Sequence, residues 1–327
     1  MPLPPRAMRA EWTREGLAEL LGREDFAPIY AQADQVRREA VGDTVHIRAL
    51  LEISNHCRRV CTYCGLRAPR TDLTRYRMTP EEILSAACEA AAVGYRTIVL
   101  QSGEDPWFTP KILGEVVGEI KARTGMAVTL GCGEMKREDY AYLKEAGTDR
   151  YLLKHETADP QLYRTLHPDS TWDRRVACLR TLKELGYETG SGFMVGLPGQ
   201  TLDTLAQDLL LLASIPCDMA GIGPFLPHPD TPLREGTAGS PELTRRCVAL
   251  ARLLLPTANL PATTALTVRG DNGQVFSGGA NVVMRKITPT CYKRMYEIYP
   301  AQLPDTDIPA QRRQLEEQIK NLGRVPL

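Results

Sequence analysis

Three cysteines stand close together in the segment HCRRVCTYCGLR, where Cys57, Cys61 and Cys64 follow the spacing C-x3-C-x2-C. Thiolates are soft ligands that suit zinc and iron–sulfur clusters. Cysteine thiolates normally fill all four ligand positions of a [4Fe–4S] cluster, so three cysteines leave one iron with an exchangeable position. The spacing therefore predicts a cluster that reserves one iron for a small-molecule ligand.

Two other interpretations of these cysteines compete with the cluster. Zinc would need a fourth ligand, and His56 or a distant cysteine is a candidate for it. His56 directly precedes Cys57, which is awkward for chelation, and the sequence has no second C-x2-C pair. The cysteines could also be free structural thiols, but three exposed thiols in one loop favour a metal site.

The segment QSGEDP places polar residues at the end of a predicted strand and in the turn that follows it. It supplies Gln101, Ser102, Gly103, Glu104 and Asp105. A backbone carbonyl and a carboxylate both suit a cationic ligand such as an ammonium group. Glycine and aspartate also favour plain turns, so the segment alone is a weak signal.

The segment RYLLKHET carries Lys154, His155 and Glu156 in a row. Successive strand residues point to opposite faces, so Lys154 and Glu156 are expected on one face and His155 on the other. If Glu156 points into the interior of the fold, it places a carboxylate beside a cation in a confined site. A salt-bridged layer without a ligand is the alternative interpretation.

Short β-rich runs alternate with helical patterns along most of the chain. Eight strands are predicted at residues 47–54, 97–103, 127–133, 150–157, 189–198, 219–227, 262–268 and 274–283. Helices are predicted at residues 79–95, 110–123, 136–146, 171–185, 202–213 and 241–255. Repeated strand–helix units imply parallel strands, and eight of them favour a complete or near-complete (β/α)8 barrel over an open doubly wound sheet. The cysteines would then lie at the carboxyl end of the strands, where barrel active sites gather.

The length and charge of the chain limit the kinds of fold and function that it can have. The 327 residues fit one barrel of about 250 residues at 45–300, an N-terminal helical extension at 1–44 and a C-terminal helical tail at 301–327. Forty Lys and Arg balance 40 Asp and Glu, which argues against a nucleic-acid or basic membrane-binding surface. Without an apolar signal segment or a long apolar run, and with scattered cysteines, a cytoplasmic protein with reduced thiols is expected.

The cysteine spacing resembles the signature of the radical S-adenosylmethionine (SAM) superfamily. Over roughly residues 45–300, the chain resembles the HydE family of [FeFe]-hydrogenase maturases in ISNHCRRVCTYCGLR, TIVLQSGEDP, DRYLLKHETADP, GFMVGLPGQT and GIGPFLPHPDTPL. Biotin synthase and methylornithine synthase share parts of this pattern. The segments HETA and GIGPF favour the maturase, and a radical mutase or sulfur-chemistry enzyme acting on a small amino acid is the alternative.

The resemblance implies a fold, a reaction and partners. The fold is the radical SAM barrel, and the cofactors are SAM and one [4Fe–4S] cluster on Cys57, Cys61 and Cys64. The reaction is reductive cleavage of SAM to a 5′-deoxyadenosyl radical, which acts on a cysteine-bound Fe(CO)2CN synthon during assembly of the hydrogenase H-cluster. The partners are an electron donor such as ferredoxin or flavodoxin and other hydrogenase maturases, with no nucleic acid and no membrane.

The resemblance also implies roles for residues at matching positions. Those expected to bind SAM are Tyr63, Gln101, Ser102, Gly103, Glu104, Asp105, Glu156, Arg175 and Met194. Those expected to contact the substrate are Thr129, Lys154, Thr263, Thr264 and Tyr296. Of this second group, Thr129, Lys154 and Tyr296 are expected to be catalytic.

The chain departs from the family pattern at two places. The arginine that the family usually carries at the fourth strand is Lys154 here, which keeps the charge but loses the bidentate guanidinium fork. This difference bears on the substrate more than on SAM cleavage. Some family members carry a second cluster on C-terminal cysteines, but the tail after Pro300 has none, so one cluster is expected.

Overall fold

Strands and helices alternate through the part of the chain that the computed structural model describes, residues 12–271, 273–300 and 307–327. The strands are β1 (Thr44–Ser54), β2 (Thr97–Ser102), β3 (Ala127–Gly131), β4 (Arg150–Leu152), β5 (Glu188–Ser191), β6 (Met194–Val195), β7 (Met219–Ala220), β8 (Gly223–Pro224), β9 (Pro261–Ala262), β10 (Val282–Lys286) and β11 (Val325–Pro326). The helices are α1 (Arg14–Gly22), α2 (Ala27–Val41), α3 (Pro80–Ala92), α4 (Pro110–Thr124), α5 (Arg137–Glu145), α6 (Pro160–Leu166), α7 (Trp172–Glu184), α8 (Leu202–Ser214), α9 (Pro241–Leu254), α10 (Thr264–Val268), α11 (Thr290–Lys293) and α12 (Ile308–Asn321).

The main strands form a parallel sheet that curls into a barrel. Their order is β7-β5-β4-β3-β2-β1-β10-β9, and each neighbouring pair is parallel. The two ends of this order meet at a bridge between Met219 of β7 and Asn259, just before β9. The ring of eight strands is therefore nearly closed, which confirms the predicted barrel.

Side chains of β1 alternate between the surrounding helices and the barrel interior. Ile47 and Leu51 are almost fully buried and belong to the hydrophobic core. Arg48, Leu50 and Glu52 occupy the intervening positions and line a cavity inside the barrel. The two-residue period of the strand thus sends apolar side chains outward against helices and brings two charged side chains and Leu50 inward.

Side-chain caps explain where several helices begin. Thr79 accepts the N–H of Glu82, and the Glu82 carboxylate accepts the N–H of Thr79, at the start of α3. Thr109, Thr171 and Thr201 each accept a backbone N–H at the starts of α4, α7 and α8. Such caps satisfy donors that lack a partner inside the helix. The predicted starts of these four helices are confirmed within one residue.

Two of the predicted strands are largely wrong. In the segment predicted as strand 262–268, β9 ends at Ala262 and the rest forms α10, because Thr263 accepts the N–H of Leu266 as a helix cap. In the segment predicted as strand 274–283, Gln274–Gly278 forms a 3-10 helix and β10 begins only at Val282. Local capping and packing override the β-propensity of threonine and valine.

The two ends of the described chain pack on the barrel. The N-terminal pattern forms two helices, of which α1 packs against α8 and buries Leu17 and Leu20. The predicted tail helix is confirmed as α12, and β11 pairs with the first residues of β1. Parts of the predicted extension and tail, residues 1–11 and 301–306, lie outside the described residues. None of the described helices has the length and apolar character needed to cross a membrane.

Candidate active site

The three predicted cluster cysteines lie in the loop that follows β1, at the carboxyl end of the barrel strands. Cys57 and Cys64 line the cavity, and Cys61 is close enough to both for their charges to interact. Burial raises the pKa of the Cys64 thiol to about 12 and raises that of Cys61 well above its usual value. Metal binding must displace these protons.

The arrangement of these thiols favours a cluster over a zinc ion. In the described part of the chain, no three His, Cys, Asp or Glu side chains converge on one metal-ion position. A zinc ion would require such convergence, with a fourth ligand in addition. A [4Fe–4S] cluster binds each thiolate through a different iron, so three neighbouring thiols that do not converge on one position suit it.

Backbone hydrogen bonds tie the cysteine loop to neighbouring segments on both sides. The N–H of Arg58 donates to the carbonyl oxygen of Glu104 at 3.0 Å. The N–H of Gly65 donates to the carbonyl oxygen of Ile298 at 2.9 Å. The loop is therefore positioned by the turn after β2 and by the segment after α11, which preorganises the thiols.

The turn after β2 packs directly against the cysteine loop. A Cβ atom on Gly103 would lie 2.6 Å from the Cβ of Cys57, so only glycine allows this approach. Gln101 and Ser102 line the cavity beside it. The side-chain amide of Gln101 donates to the phenol oxygen of Tyr296 at 3.2 Å. Three residues of the predicted SAM-binding turn thus lie between the cysteines and the inner cavity.

Glu104 and Asp105, the other two residues of that turn, are not among the residues that line the cavity. Glu104 accepts from Nε of Arg59 at 2.7 Å. Asp105 accepts from Arg77 at 2.7 and 3.0 Å and from the hydroxyl of Ser54 at 2.7 Å. Against the opposing effect of burial, these bonds hold the pKa of Asp105 below its usual value. Both carboxylates therefore anchor arginines around the cysteine loop.

Glu134, which sequence analysis missed, is a fully buried carboxylate after β3. It contacts Arg59 at 2.9 Å, Arg174 at 3.0 Å and Arg175 at 2.7 Å. Arg175, predicted to bind SAM, does not line the cavity and donates to the carbonyl oxygen of Lys154 at 2.6 Å. A sequence signal existed, because the Gly–Glu pair after β3 repeats the Gly–Glu pair after β2.

A cavity of about 360 Å³ extends from the cysteine loop into the barrel, which is the size of a small-molecule site. Most of the predicted site residues line it: Tyr63, Gln101, Ser102, Gly103, Thr129, Lys154, Glu156, Met194, Thr263, Thr264 and Tyr296. Three charged residues in the lining, Arg48, Glu52 and Lys286, were not predicted. The structure therefore brings eleven separately predicted residues to one cavity.

Lys154 and Glu156 form an ion pair on the cavity wall, with Nζ and Oε2 2.9 Å apart. Their common face is confirmed, although β4 ends at Leu152, earlier than predicted. Glu156 has a φ of 65°, a left-handed conformation that non-glycine residues rarely adopt. Backbone bonds to Gly192 and Met194 at 3.0 and 3.1 Å hold it there. Strain of this kind is characteristic of functional sites.

His155 points away from the cavity, as predicted, and supports the same turn from behind. Its Nδ1 lies 2.9 Å from the hydroxyl oxygen of Ser191, and its Nε2 lies 3.4 Å from the carboxylate of Asp208. That carboxylate also accepts the N–H of Ala158. Burial lowers the pKa of His155 to about 3, so the ring is neutral at physiological pH.

Hydroxyl groups supply most of the remaining polar surface of the cavity. Thr129 Oγ1 is buried and has no hydrogen-bond partner in the described part of the chain, so it is oriented for a ligand. The Tyr63 hydroxyl lies 3.1 Å from Nε2 of His167. Thr263 caps α10, and Thr264 follows it in the lining.

Comparison with known proteins assigns this barrel to a class. The sequence profile of the radical SAM superfamily matches residues 51–212, from β1 through most of α8. Together with the nearly closed barrel and the three-cysteine loop, this match defines a radical SAM enzyme. The chain is also 53% identical over 300 residues to the [FeFe] hydrogenase maturase subunit HydE of Thermotoga maritima, covering 90% of this chain and 86% of the relative. The chain belongs to the HydE family.

More distant relatives share the fold. The 3-methylornithine synthase of Methanosarcina barkeri is 29% identical over 307 residues, or 92% of this chain and 86% of the relative. A crystal structure of methylornithine synthase superimposes with a TM-score of 0.85 at 26% identity, covering 97% of this chain and 94% of that one. The identity to HydE is much higher, so the maturase relationship is favoured over the mutase alternative.

Radical SAM proteins use a [4Fe–4S] cluster and SAM, and the site fits both. Cys57 and Cys64 provide thiols for the cluster at one end of the cavity, and Cys61 lies close to both of them. The adjoining wall offers the ion pair of Lys154 and Glu156, whose opposite charges complement the carboxylate and ammonium groups of a methionine moiety.

Proposed function

We propose that this protein is a maturase of the HydE type. It cleaves SAM reductively and uses the product radical on a cysteine-bound Fe(CO)2CN synthon during assembly of the [FeFe]-hydrogenase H-cluster. The 53% identity to the Thermotoga maritima HydE supports the maturase role, since it extends over 90% of the chain.

The observation that carries this proposal is the continuity of the cavity. One cavity joins Cys57 and Cys64 to Thr129 and Tyr296 inside the barrel. When bound, the cluster and SAM supply the chemistry, in which one electron from a reductant cleaves the S–C5′ bond to give methionine and a 5′-deoxyadenosyl radical. The barrel wall confines that radical to the bound substrate and excludes other hydrogen donors.

Residues next to the cysteines position SAM. Cys57, Cys61 and Cys64 hold the cluster, and the Glu156 carboxylate binds the ammonium group of SAM. The apolar side of the site comes from Met194, which packs in a small cluster with Leu166, Leu197 and Phe225 and with Tyr63 beside them. This placement of an aromatic ring and a thioether suits an adenosyl group.

Residues deeper in the barrel receive the substrate. Thr129 offers a buried hydroxyl without a partner among the described residues. Tyr296 is buried, and its phenol oxygen already accepts a hydrogen bond from Gln101. Thr263 and Thr264 complete the polar rim of this region. These groups hold and orient the substrate, and Tyr296 has the O–H through which a proton could be moved.

The proposal includes partners and a compartment. An electron donor such as ferredoxin or flavodoxin reduces the cluster, and other hydrogenase maturases supply the substrate or receive the product. A reducing cytoplasm suits the nine cysteines, all of which are free thiols in the structure.

Anaerobic turnover tests the proposal. The cluster-loaded protein with reductant and SAM is expected to release 5′-deoxyadenosine and to consume the cysteine-bound iron synthon, both followed by mass spectrometry. Cys64→Ser is expected to abolish SAM cleavage, since the cluster loses one of its three thiolates. Cys247→Ser, which alters a cysteine buried in α9, is the matched control and should retain it.

Each failure of this test has a distinct meaning. A Cys64→Ser protein that cleaves SAM at the wild-type rate would contradict the assignment of Cys57, Cys61 and Cys64 as cluster ligands. Active SAM cleavage without consumption of the synthon would indicate a HydE-like enzyme with another substrate.

A further inference from the structure

A second lysine–glutamate pair lies in the cavity, between residues that are far apart in the sequence. Lys286, the last residue of β10, places its Nζ 2.6 Å from Oε1 of Glu52 on β1. The other carboxylate oxygen of Glu52 accepts a hydrogen bond from the hydroxyl of Thr288 at 3.2 Å. Both Lys286 and Glu52 line the cavity near the carboxyl end of their strands, where ligand-binding residues of barrels gather.

Protein stability alone is a weak reason for such a pair. The Glu52 side chain is 2% exposed and that of Lys286 is 18% exposed, so both charges lose much of their hydration. Buried ion pairs often contribute little net stability for that reason. Lys286 Nζ also lies 5.8 Å from the ring centroid of Tyr296. The ammonium is thus held between a carboxylate and an aromatic face, as a preorganised anion-binding group would be.

The cavity lining carries more cations than carboxylates. The charged residues among the described lining are Arg48, Glu52, Lys154, Glu156 and Lys286. Each carboxylate is paired with one lysine, so the arginine leaves one positive charge in excess. A ligand that carries at least one negative charge would balance the cavity.

The two lysines stand on opposite walls of the barrel. Lys154 follows β4 and Lys286 ends β10. In the ring of eight strands, β4 and β10 are four places apart, which is half of the circumference. A ligand that fills the cavity therefore meets one ammonium group on each side.

We propose that Lys286, positioned by Glu52, binds the carboxylate of an amino-acid-derived substrate. The inference rests on the proposed function and adds which part of the substrate the barrel recognises. A charge-assisted hydrogen bond from the ammonium to the carboxylate fixes one end of the substrate. The pair of Lys154 and Glu156, on the opposite wall, then serves mainly SAM.

The test compares two Fe(CO)2CN complexes, one that carries cysteine and one that carries cysteamine, which lacks the carboxylate. Binding to cluster-loaded, SAM-bound and unreduced enzyme is titrated through the infrared bands of the carbonyl ligands, so turnover is not needed. We expect the wild type to bind the cysteine complex about tenfold or more tightly than the cysteamine complex, the size of one charge-assisted bond.

Two variants and one control assign this preference to Lys286. The double variant Glu52→Gln/Lys286→Met removes both charges, leaves no unpaired buried charge and is expected to lose the preference. Lys286→Arg keeps the positive charge and is expected to retain the preference for the cysteine complex. The control Lys183→Met/Asp218→Asn removes an ion pair of 2.7 Å outside the cavity and should leave the preference unchanged.

The outcomes separate this inference from the proposed function. A wild type without a preference, or a folded double variant that keeps it, would overturn the role of Lys286. A wild type that binds neither complex, or that fails to release 5′-deoxyadenosine on reduction, would overturn the proposed function itself. If the wild type releases 5′-deoxyadenosine but binds both complexes equally, the role of Lys286 is rejected and the proposed function stands.

Discussion

The two lysine–glutamate pairs of the cavity have similar chemistry and different origins. Lys154 and Glu156 are two residues apart in one turn, and the turn is strained at Glu156. Glu52 and Lys286 come from the neighbouring strands β1 and β10, and only the pairing of these two distant segments brings them together. A short motif can therefore encode one charged wall of a site, whereas the opposite wall depends on the whole fold.

The difference also concerns ligands. The first pair lies in the cavity that Cys57 and Cys64 border and is supported from behind by His155. The second pair lies beside Tyr296, which contacts Lys286 through its ring. We therefore expect the local pair to act mainly on SAM, chiefly through its carboxylate, and the distant pair to act mainly on the substrate. The following predictions test this division, from the largest expected effect to the smallest.

Glu156→Gln should produce the largest change in ligand binding. The neutral amide can accept a hydrogen bond from an ammonium group but cannot form an ion pair with it, so we expect the Kd for SAM to rise about tenfold to a hundredfold. Equilibrium binding of SAM to the cluster-loaded protein measures this. Glu188→Gln, which removes a partner of Arg150 outside the cavity, is the matched control. An unchanged Kd in Glu156→Gln would mean that SAM is held elsewhere.

Glu52→Gln alone should destabilise the fold. It leaves the Lys286 ammonium, which is only 18% exposed, without its countercharge. We expect a loss of about 1–3 kcal/mol in the free energy of unfolding, measured in urea. Glu188→Gln, in a pair whose carboxylate is 46% exposed, should cost about 1 kcal/mol or less. Equal costs for the two variants would show that the distant pair is no more buried than a surface pair.

Acid should weaken the support behind the local pair. Burial, with Lys154 and Arg175 nearby, lowers the pKa of His155 from 6.5 to about 3, so folding requires the neutral ring. This contribution to stability is complete above the unfolded pKa and is lost as pH falls from about 6.5 towards 3.

A histidine variant measures that contribution. When the pH falls from about 7.5 to about 5, the free energy of unfolding should decrease in both proteins. We expect the decrease to be about 1–2 kcal/mol smaller in His155→Gln than in the wild type. His167, whose pKa is also lowered to about 3 by burial, remains in both proteins and cancels in the comparison. Parallel pH profiles would mean that His155 is not buried as a neutral ring.

Lys154→Arg should produce the smallest effect and sharpen the comparison most, because it asks whether the local pair also reaches the substrate. Arginine restores the bidentate fork that the family usually carries at this position. We expect the KM for the cysteine-bound iron synthon to fall about threefold to tenfold, with little change in the Kd for SAM. Steady-state kinetics under anaerobic conditions measure the KM, and equilibrium binding measures the Kd for SAM. The comparison variant is Lys154→Met, which should raise the KM. A higher KM in Lys154→Arg would indicate that the lysine is matched to a different substrate.

The part of the site that is built from residues close together in the sequence was predictable. The spacing of Cys57, Cys61 and Cys64 limits the metals that they can hold, and strand alternation placed Lys154 and Glu156 on one face. Helix starts were predictable for a similar reason, because a capping threonine acts within its own turn. These features depend on residues that are close in sequence, so no knowledge of the fold was required.

Contacts between distant segments were not predictable in the same way. Glu52 meets Lys286 only through the pairing of β1 with β10, and the sequence pattern had ended that last strand at residue 283. The positions of Glu104 and Arg175 depend on ion pairs between separate loops and helices, which no sequence spacing encodes. Glu104 pairs with Arg59, and Arg175 pairs with Glu134. Their predicted contacts with SAM remain predictions.

The response of the cluster spectrum to SAM tests the central claim most directly. The reduced cluster of the wild type, observed by electron paramagnetic resonance, is expected to change its signal when SAM is added, because SAM occupies the iron that Cys57, Cys61 and Cys64 leave open. A well-formed cluster whose signal is identical with and without SAM would contradict the claim and would indicate a protein that carries a cluster without using it for catalysis.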